Sequence, residues 1–135
     1  MRKIYKTKKL LHTLVLAVCL GVSSMLSAQI TGGTVTIDGG NPTAGTNYNT
    51  WADFKTALNA TTLTSALTVN VLTNNTESAQ INFTQVTGAS ATNTITINGG
   101  GFFVEASVAD AVILMNGADY ITFNKLTVRN TSNSQ

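Results

Sequence analysis

The sequence has 135 residues, room for a single domain. Its formal charge of +2 misleads, because five of its eight basic residues fall within the first nine; from residue 29 onward only Lys55, Lys125 and Arg129 face Asp38, Asp53, Glu77, Glu105, Asp110 and Asp119, a net charge of −3. The one cysteine (Cys19) and the one histidine (His12) also precede residue 29, so the remainder has no thiolate chemistry, imidazole base or Cys/His metal site, and its acidity gives no support for nucleic-acid binding.

In chain order, residues 1–9 are basic, residues 10–22 form an apolar run, and Ser23, Ser24, Ser27 and Ala28 are small. That three-part pattern is a secretory signal peptide with cleavage after Ala28, giving a signal over 1–28 and a domain over 29–135. The run is short of the ~20 residues needed to cross a bilayer, which counts against an uncleaved anchor and predicts no membrane span after signal removal. Val18 is a poor neighbour for lipidation at Cys19, because such sites usually place a small residue there.

Residues 29–135 hold 21 Thr, 14 Asn, 10 Gly and one Pro. Threonine favours strands, while asparagine and glycine favour turns with positive φ, so the composition predicts many short strands joined by polar turns. Alternation places these strands at 34–37, 68–72, 81–83, 94–97, 112–115, 120–123 and 126–128. One segment reads as a helix. Thr50 caps it, Asp53 makes a near-match to a capping box, and Trp51, Phe54, Ala57 and Leu58 fall on one stripe, with an end near Asn59.

Stacking the strands exposes a repeat. Val69, Ile95 and Ile121 recur at a constant sequence interval of 26, as do Val71, Ile97 and Phe123. Asn70, Thr96 and Thr122 fill the intervening outward positions, and Asn98 and Asn124 follow in register. A period in the twenties that preserves one strand favours a β-solenoid over a sandwich. Its inward aliphatics would form a column beneath an outward Thr/Asn face. Ile81 and Phe83 do not fit, since the same spacing sets them against Ser107 and Ala109.

Residues 93–100 (NTITINGG) and 111–130 (AVILMNGADYITFNKLTVRN) together resemble a right-handed parallel β-helix of the pectin-lyase-like superfamily. Residues 88–95 (GASATNTI), after a signal ending in Ala28-Gln29, resemble the opening of large cell-surface proteins of Bacteroidetes-type bacteria. The resemblance implies an all-β fold, a β-helix of about three rungs, with residues 51–60 as an α-helix capping its N-terminal end. It implies a secreted or cell-surface location, and it leaves the activity open, since the superfamily includes lyases, esterases, hydrolases and plain adhesins. The stretch after Asn130 offers no cover for the far end, so the domain is expected to be incomplete at its C-terminus, and a continuation of the same β-helix is one expected partner.

Catalytic sets are hard to find. Polysaccharide lyases of this fold generally use clustered acids for Ca²⁺ and a Lys or Arg base, whereas the acids here are scattered. Asp110 paired with Asp119 or Glu105 would be the only carboxylate pairs for glycoside hydrolysis, and each sits at or near a turn. Residues 99–101 (GGG) lack the Lys-Ser/Thr and helix of a phosphate loop. No cofactor, metal ligand or catalytic residue is assigned. The expected function is non-catalytic adhesion or contact with extracellular glycans, with Thr96, Thr122 and Tyr120 as contact residues, since hydroxyls match sugar hydroxyls and an aromatic face stacks on a sugar ring. The alternative is the N-terminal part of a polysaccharide lyase or hydrolase with its catalytic strands beyond residue 135.

Overall fold

The computed structural model describes residues 29–132; the signal peptide expected over 1–28 lies outside them. Ten strands and one helix follow in the order β1 (Gly33–Ile37), β2 (Asn47–Tyr48), α1 (Trp51–Asn59), β3 (Leu67–Val71), β4 (Asn75–Glu77), β5 (Ile81–Thr84), β6 (Ile95–Asn98), β7 (Phe103–Ala106), β8 (Ile113–Asn116), β9 (Ile121–Asn124) and β10 (Thr127–Asn130). All pairings between these strands are parallel. They form a five-stranded sheet in the order β2-β1-β3-β6-β9, a three-stranded sheet β10-β7-β4 and a pair β5-β8. The chain visits the three in rotation: β3, β4 and β5 lie one in each, β6, β7 and β8 return in the same order, and β9 and β10 begin a further round.

Alternation of side chains determines what each strand buries. In β3, Leu67, Val69 and Val71 point inward and Thr68 and Asn70 outward. Ile95 and Ile97 in β6, Ile81 and Phe83 in β5, and Val104 and Ala106 in β7 are buried in the same way. These residues form one core with Val35, Ile37, Tyr48 and the helix stripe Trp51, Phe54 and Leu58.

The observed register corrects the expected alignment at one step. From β6 to β9 the offset is 26, Ile95 against Ile121 and Ile97 against Phe123. From β3 to β6 it is 28, so Leu67, not Val69, lies beside Ile95, and Val69 lies beside Ile97. From β1 to β3 it is 34, as in Val35 against Val69. The expected alignments Val69–Ile95–Ile121 and Val71–Ile97–Phe123 are therefore replaced by Leu67–Ile95–Ile121 and Val35–Val69–Ile97–Phe123, while Val71 lies beside Ile37. A two-residue slip keeps every side chain on its own face, which is why the inward and outward assignments hold while the partners change. Ile81 and Phe83 find their partners in β8, at Ile113 and Met115.

Helix α1 starts as its sequence dictates. Thr50 is extended (φ −129, ψ 160) and its Oγ1 accepts the Asp53 N–H at 3.0 Å. Asp53 does not complete the capping box: its Oδ2 accepts a bond from Thr43 Oγ1 at 2.6 Å. The helix lies against β5, β2 and β4. After β5 the chain crosses back beside Leu63 at Gly88, whose φ of +81 and a would-be Cβ 2.1 Å from the Leu63 carbonyl oxygen leave no room for any side chain. Among the described residues, no helix is long and apolar enough to cross a membrane.

Candidate functional site

The outward face of the five-stranded sheet carries a regular polar surface. Four strands present Thr–apolar–Thr or Thr–apolar–Asn, and parallel register lines these positions up in two rows. The first row is Thr34, Thr68, Thr96 and Thr122. The second is Asn47, Thr36, Asn70, Asn98 and Asn124. Neighbouring strands lie about 4.8 Å apart, so each row repeats at that interval.

The two rows differ in what their side chains already bond. In the second row, Asn98 Nδ2 donates to Asn70 Oδ1 at 3.1 Å, Asn124 Nδ2 donates to Asn98 Oδ1 at 3.3 Å, and Thr36 Oγ1 donates to Asn47 Oδ1 at 2.7 Å. The asparagines form a ladder along the sheet. The hydroxyls of the threonine row have no hydrogen-bond partner among the described residues, and all four residues are exposed or half-buried. A hydroxyl is both donor and acceptor, so this row offers a line of unsaturated groups to whatever lies outside.

Two of the three expected contact residues are brought together: Thr96 and Thr122 are direct register partners. Tyr120 immediately precedes β9, is 49% exposed and has a φ of +60, and its carbonyl accepts the Ile95 N–H at 2.9 Å. Asn70, expected beside Thr96, stands instead beside Asn98, because the β3-to-β6 offset is 28 and not 26. Its place in the threonine row belongs to Thr68, which the repeat overlooked along with Thr34. The recurring Thr–apolar–Asn of residues 68–70, 96–98 and 122–124 is the signal that would have found Thr68.

The remaining polar groups are mostly engaged locally. On the second sheet the Arg129 guanidinium stacks over the Phe103 ring at 4.1 Å, and Glu105 Oε1 accepts from Thr76 Oγ1 at 3.0 Å. An open depression of about 470 Å³ is lined by Gly40, Asn41, Pro42, Thr43, Asn49 and Asp53. Its carboxylate bonds Thr43, while the nearby Asp38 closes its own turn through Gly40 N–H and Asn41 Nδ2. Among the described residues, no group of three or more His, Cys, Asp or Glu side chains is placed to hold a metal ion. Compared with known proteins, the chain matches no family model, no curated protein and no solved structure.

Proposed function

We propose that the chain winds as a right-handed parallel β-helix of pectin-lyase-like architecture, is exported, and contacts extracellular glycans at a cell surface through its Thr/Asn face without catalysing a reaction. Support for the winding comes from the rotation of the chain through three parallel sheets, since a strand followed by a crossover to a parallel neighbour is almost always right-handed. Helix α1 then serves as the lid of one end, covering core residues that a solenoid terminus would otherwise leave to water. Support for export is the basic, apolar, small-residue pattern of residues 1–28.

The observation that carries the binding role is the threonine row. Four hydroxyls in register, without a hydrogen-bond partner among the described residues, form a flat strip that can exchange hydrogen bonds with successive sugar hydroxyls. The asparagine ladder beside it stiffens the strip without competing for its hydroxyls. Tyr120, exposed at the start of β9, supplies a ring for stacking.

Valine preserves the shape and strand preference of threonine and removes only the hydroxyl. The double substitution Thr96→Val/Thr122→Val is expected to weaken glycan binding on the order of tenfold or more, about 0.7 kcal/mol or more for each lost bond, with an unchanged far-ultraviolet spectrum. A glycan array followed by titration calorimetry on the best ligand measures this. No signal on any glycan from the parent protein would refute the binding role, and equal affinity of the variant would move the site away from this face.

A further inference from the structure

We infer that the threonine row takes an extended, neutral, equatorially linked glycan of the cellulose or mannan kind, lying across the strands with one sugar over each threonine. The inference rests on the glycan contact proposed above and names the class of polymer that fits it. A repeating ligand matches a repeating surface only where the two intervals agree. The row advances by one strand at a time, so Thr34 to Thr122 spans three intervals, about 14 Å. An equatorially linked hexose ribbon advances by close to one strand interval per sugar, and each of its edges offers hydroxyls at every sugar. The four threonine hydroxyls therefore meet four successive sugars of a straight chain. An axially linked glucan such as amylose coils, and its successive sugars turn away from a straight line of groups.

The margins of the row favour a ribbon over a compact sugar. Two residues before the four threonines stand Gly32, Ala66, Thr94 and Tyr120. Main-chain bonds of 2.9 Å from Gly33 N–H to the Ala66 carbonyl, from Leu67 N–H to that of Thr94 and from Ile95 N–H to that of Tyr120 keep them side by side. Gly32, Ala66 and Thr94 have little or no side chain, so this margin is low, and bulk returns only at the exposed Tyr120. Two residues after the threonines stand Thr36 and the ladder Asn70–Asn98–Asn124, whose amides repeat at the same strand interval and hold one another. The row thus runs as a ledge, low on one side and edged by amides on the other. A site for a single small sugar is concave and encloses most of its ligand, whereas a ledge of repeating cross-section takes a chain.

Charge selects among extended glycans. Apart from the Tyr120 phenol, neither the row nor the positions two residues to either side of it carry an ionisable side chain. No Lys or Arg stands there to receive a carboxylate or sulfate, and residues 29–135 carry a net charge of −3, which repels a polyanion. A threonine hydroxyl both donates and accepts, as does a sugar hydroxyl, so a neutral chain satisfies the row at every step.

Titration calorimetry with cello- and manno-oligosaccharides of two to six sugars tests the match. In at least one of the two series, affinity is expected to rise about threefold or more for each sugar added up to four, one further hydroxyl bond each time, and then to level off. Malto-oligosaccharides and oligogalacturonides of the same lengths are expected to bind about tenfold more weakly or less well still. Thr34→Val removes the hydroxyl at the β1 end of the row. It is expected to move the plateau from four sugars to three, to leave the affinity for the trisaccharide within about twofold of the parent, and to leave the circular dichroism unchanged. Affinity that does not grow beyond the disaccharide, a plateau untouched by Thr34→Val, or equal binding of the coiled or charged series overturns the inference. If Thr96→Val/Thr122→Val still weakens binding in any of those cases, the face remains a glycan contact and only the extended ligand is lost. No binding of any glycan removes the contact and the inference together.

Discussion

Replacing Phe54 by alanine is expected to lower the free energy of unfolding by about 3–5 kcal/mol, the usual cost of emptying a fully buried aromatic site. Phe54 is wholly inaccessible and meets Tyr48 edge-on at 5.6 Å and Phe83 at 6.3 Å. Phe83 in turn lies 6.3 Å from Phe123. An aromatic file therefore runs from β2 through α1 and β5 to β9, joining the helix to the five-stranded sheet and to the β5-β8 pair. Domains of this size are stable by about 5–15 kcal/mol, so the loss is a large share of the total. Urea unfolding followed by circular dichroism measures it, with a shift in midpoint at constant slope. A change below about 1 kcal/mol would mean that α1 is an ornament of the fold and not its lid.

The second large effect is expected at Glu77, which is buried in β4 with 8% exposure. Its two carboxylate oxygens take the Trp51 N–H at 2.9 Å and the Ala52 N–H at 3.3 Å. Thr50 Oγ1 takes the Asp53 N–H, and the Thr50 carbonyl takes that of Phe54 at 3.2 Å. The orphan donors of the first turn are thus satisfied by two side chains from different parts of the chain. A carboxylate at a helix N-terminus also meets the positive end of the helix dipole. Glu77→Ala strands two inward N–H groups and is expected to cost about 2–4 kcal/mol. Glu77→Gln keeps one acceptor oxygen without the charge and is expected to cost about half as much. Equal losses for the two variants, or none, would show that the carboxylate does not hold the helix.

Much of this architecture is legible in residue patterns, and the exceptions have physical causes. Strands such as 34–37 and 94–97 are readable because aliphatic and polar residues alternate cleanly. Strand β4 escapes because its inward positions are Asn75 and Glu77, polar residues that a search for apolar alternation discards. Asn75 Nδ2 bonds the Asn49 carbonyl and Glu77 caps the helix, so both are buried with partners far off in the sequence. Strand β7 is hidden by Phe102, which breaks the period beside Phe103. The capping role of Thr50 is readable because it is local, whereas the diversion of Asp53 to Thr43 depends on a loop the pattern does not describe. At the candidate site, Thr96 and Thr122 emerge because their offset is truly 26. Thr68 and Thr34 do not, because the loops between strands differ in length, giving offsets of 28 and 34 that a fixed period cannot follow.

The most direct test of the whole account is nuclear magnetic resonance detection of scalar couplings across main-chain hydrogen bonds. The structure requires Gly33 N–H to couple to the Ala66 carbonyl, Leu67 N–H to Thr94, Ile95 N–H to Tyr120, and Gly99 N–H to Asn124. These four couplings together define parallel strands stacked in the observed register, Val35 beside Val69, Val69 beside Ile97 and Ile97 beside Phe123. Finding all four supports the stacked parallel strands and the threonine row at once. Couplings that instead join neighbouring strands in antiparallel order, or that place Val69 beside Ile95, would contradict it.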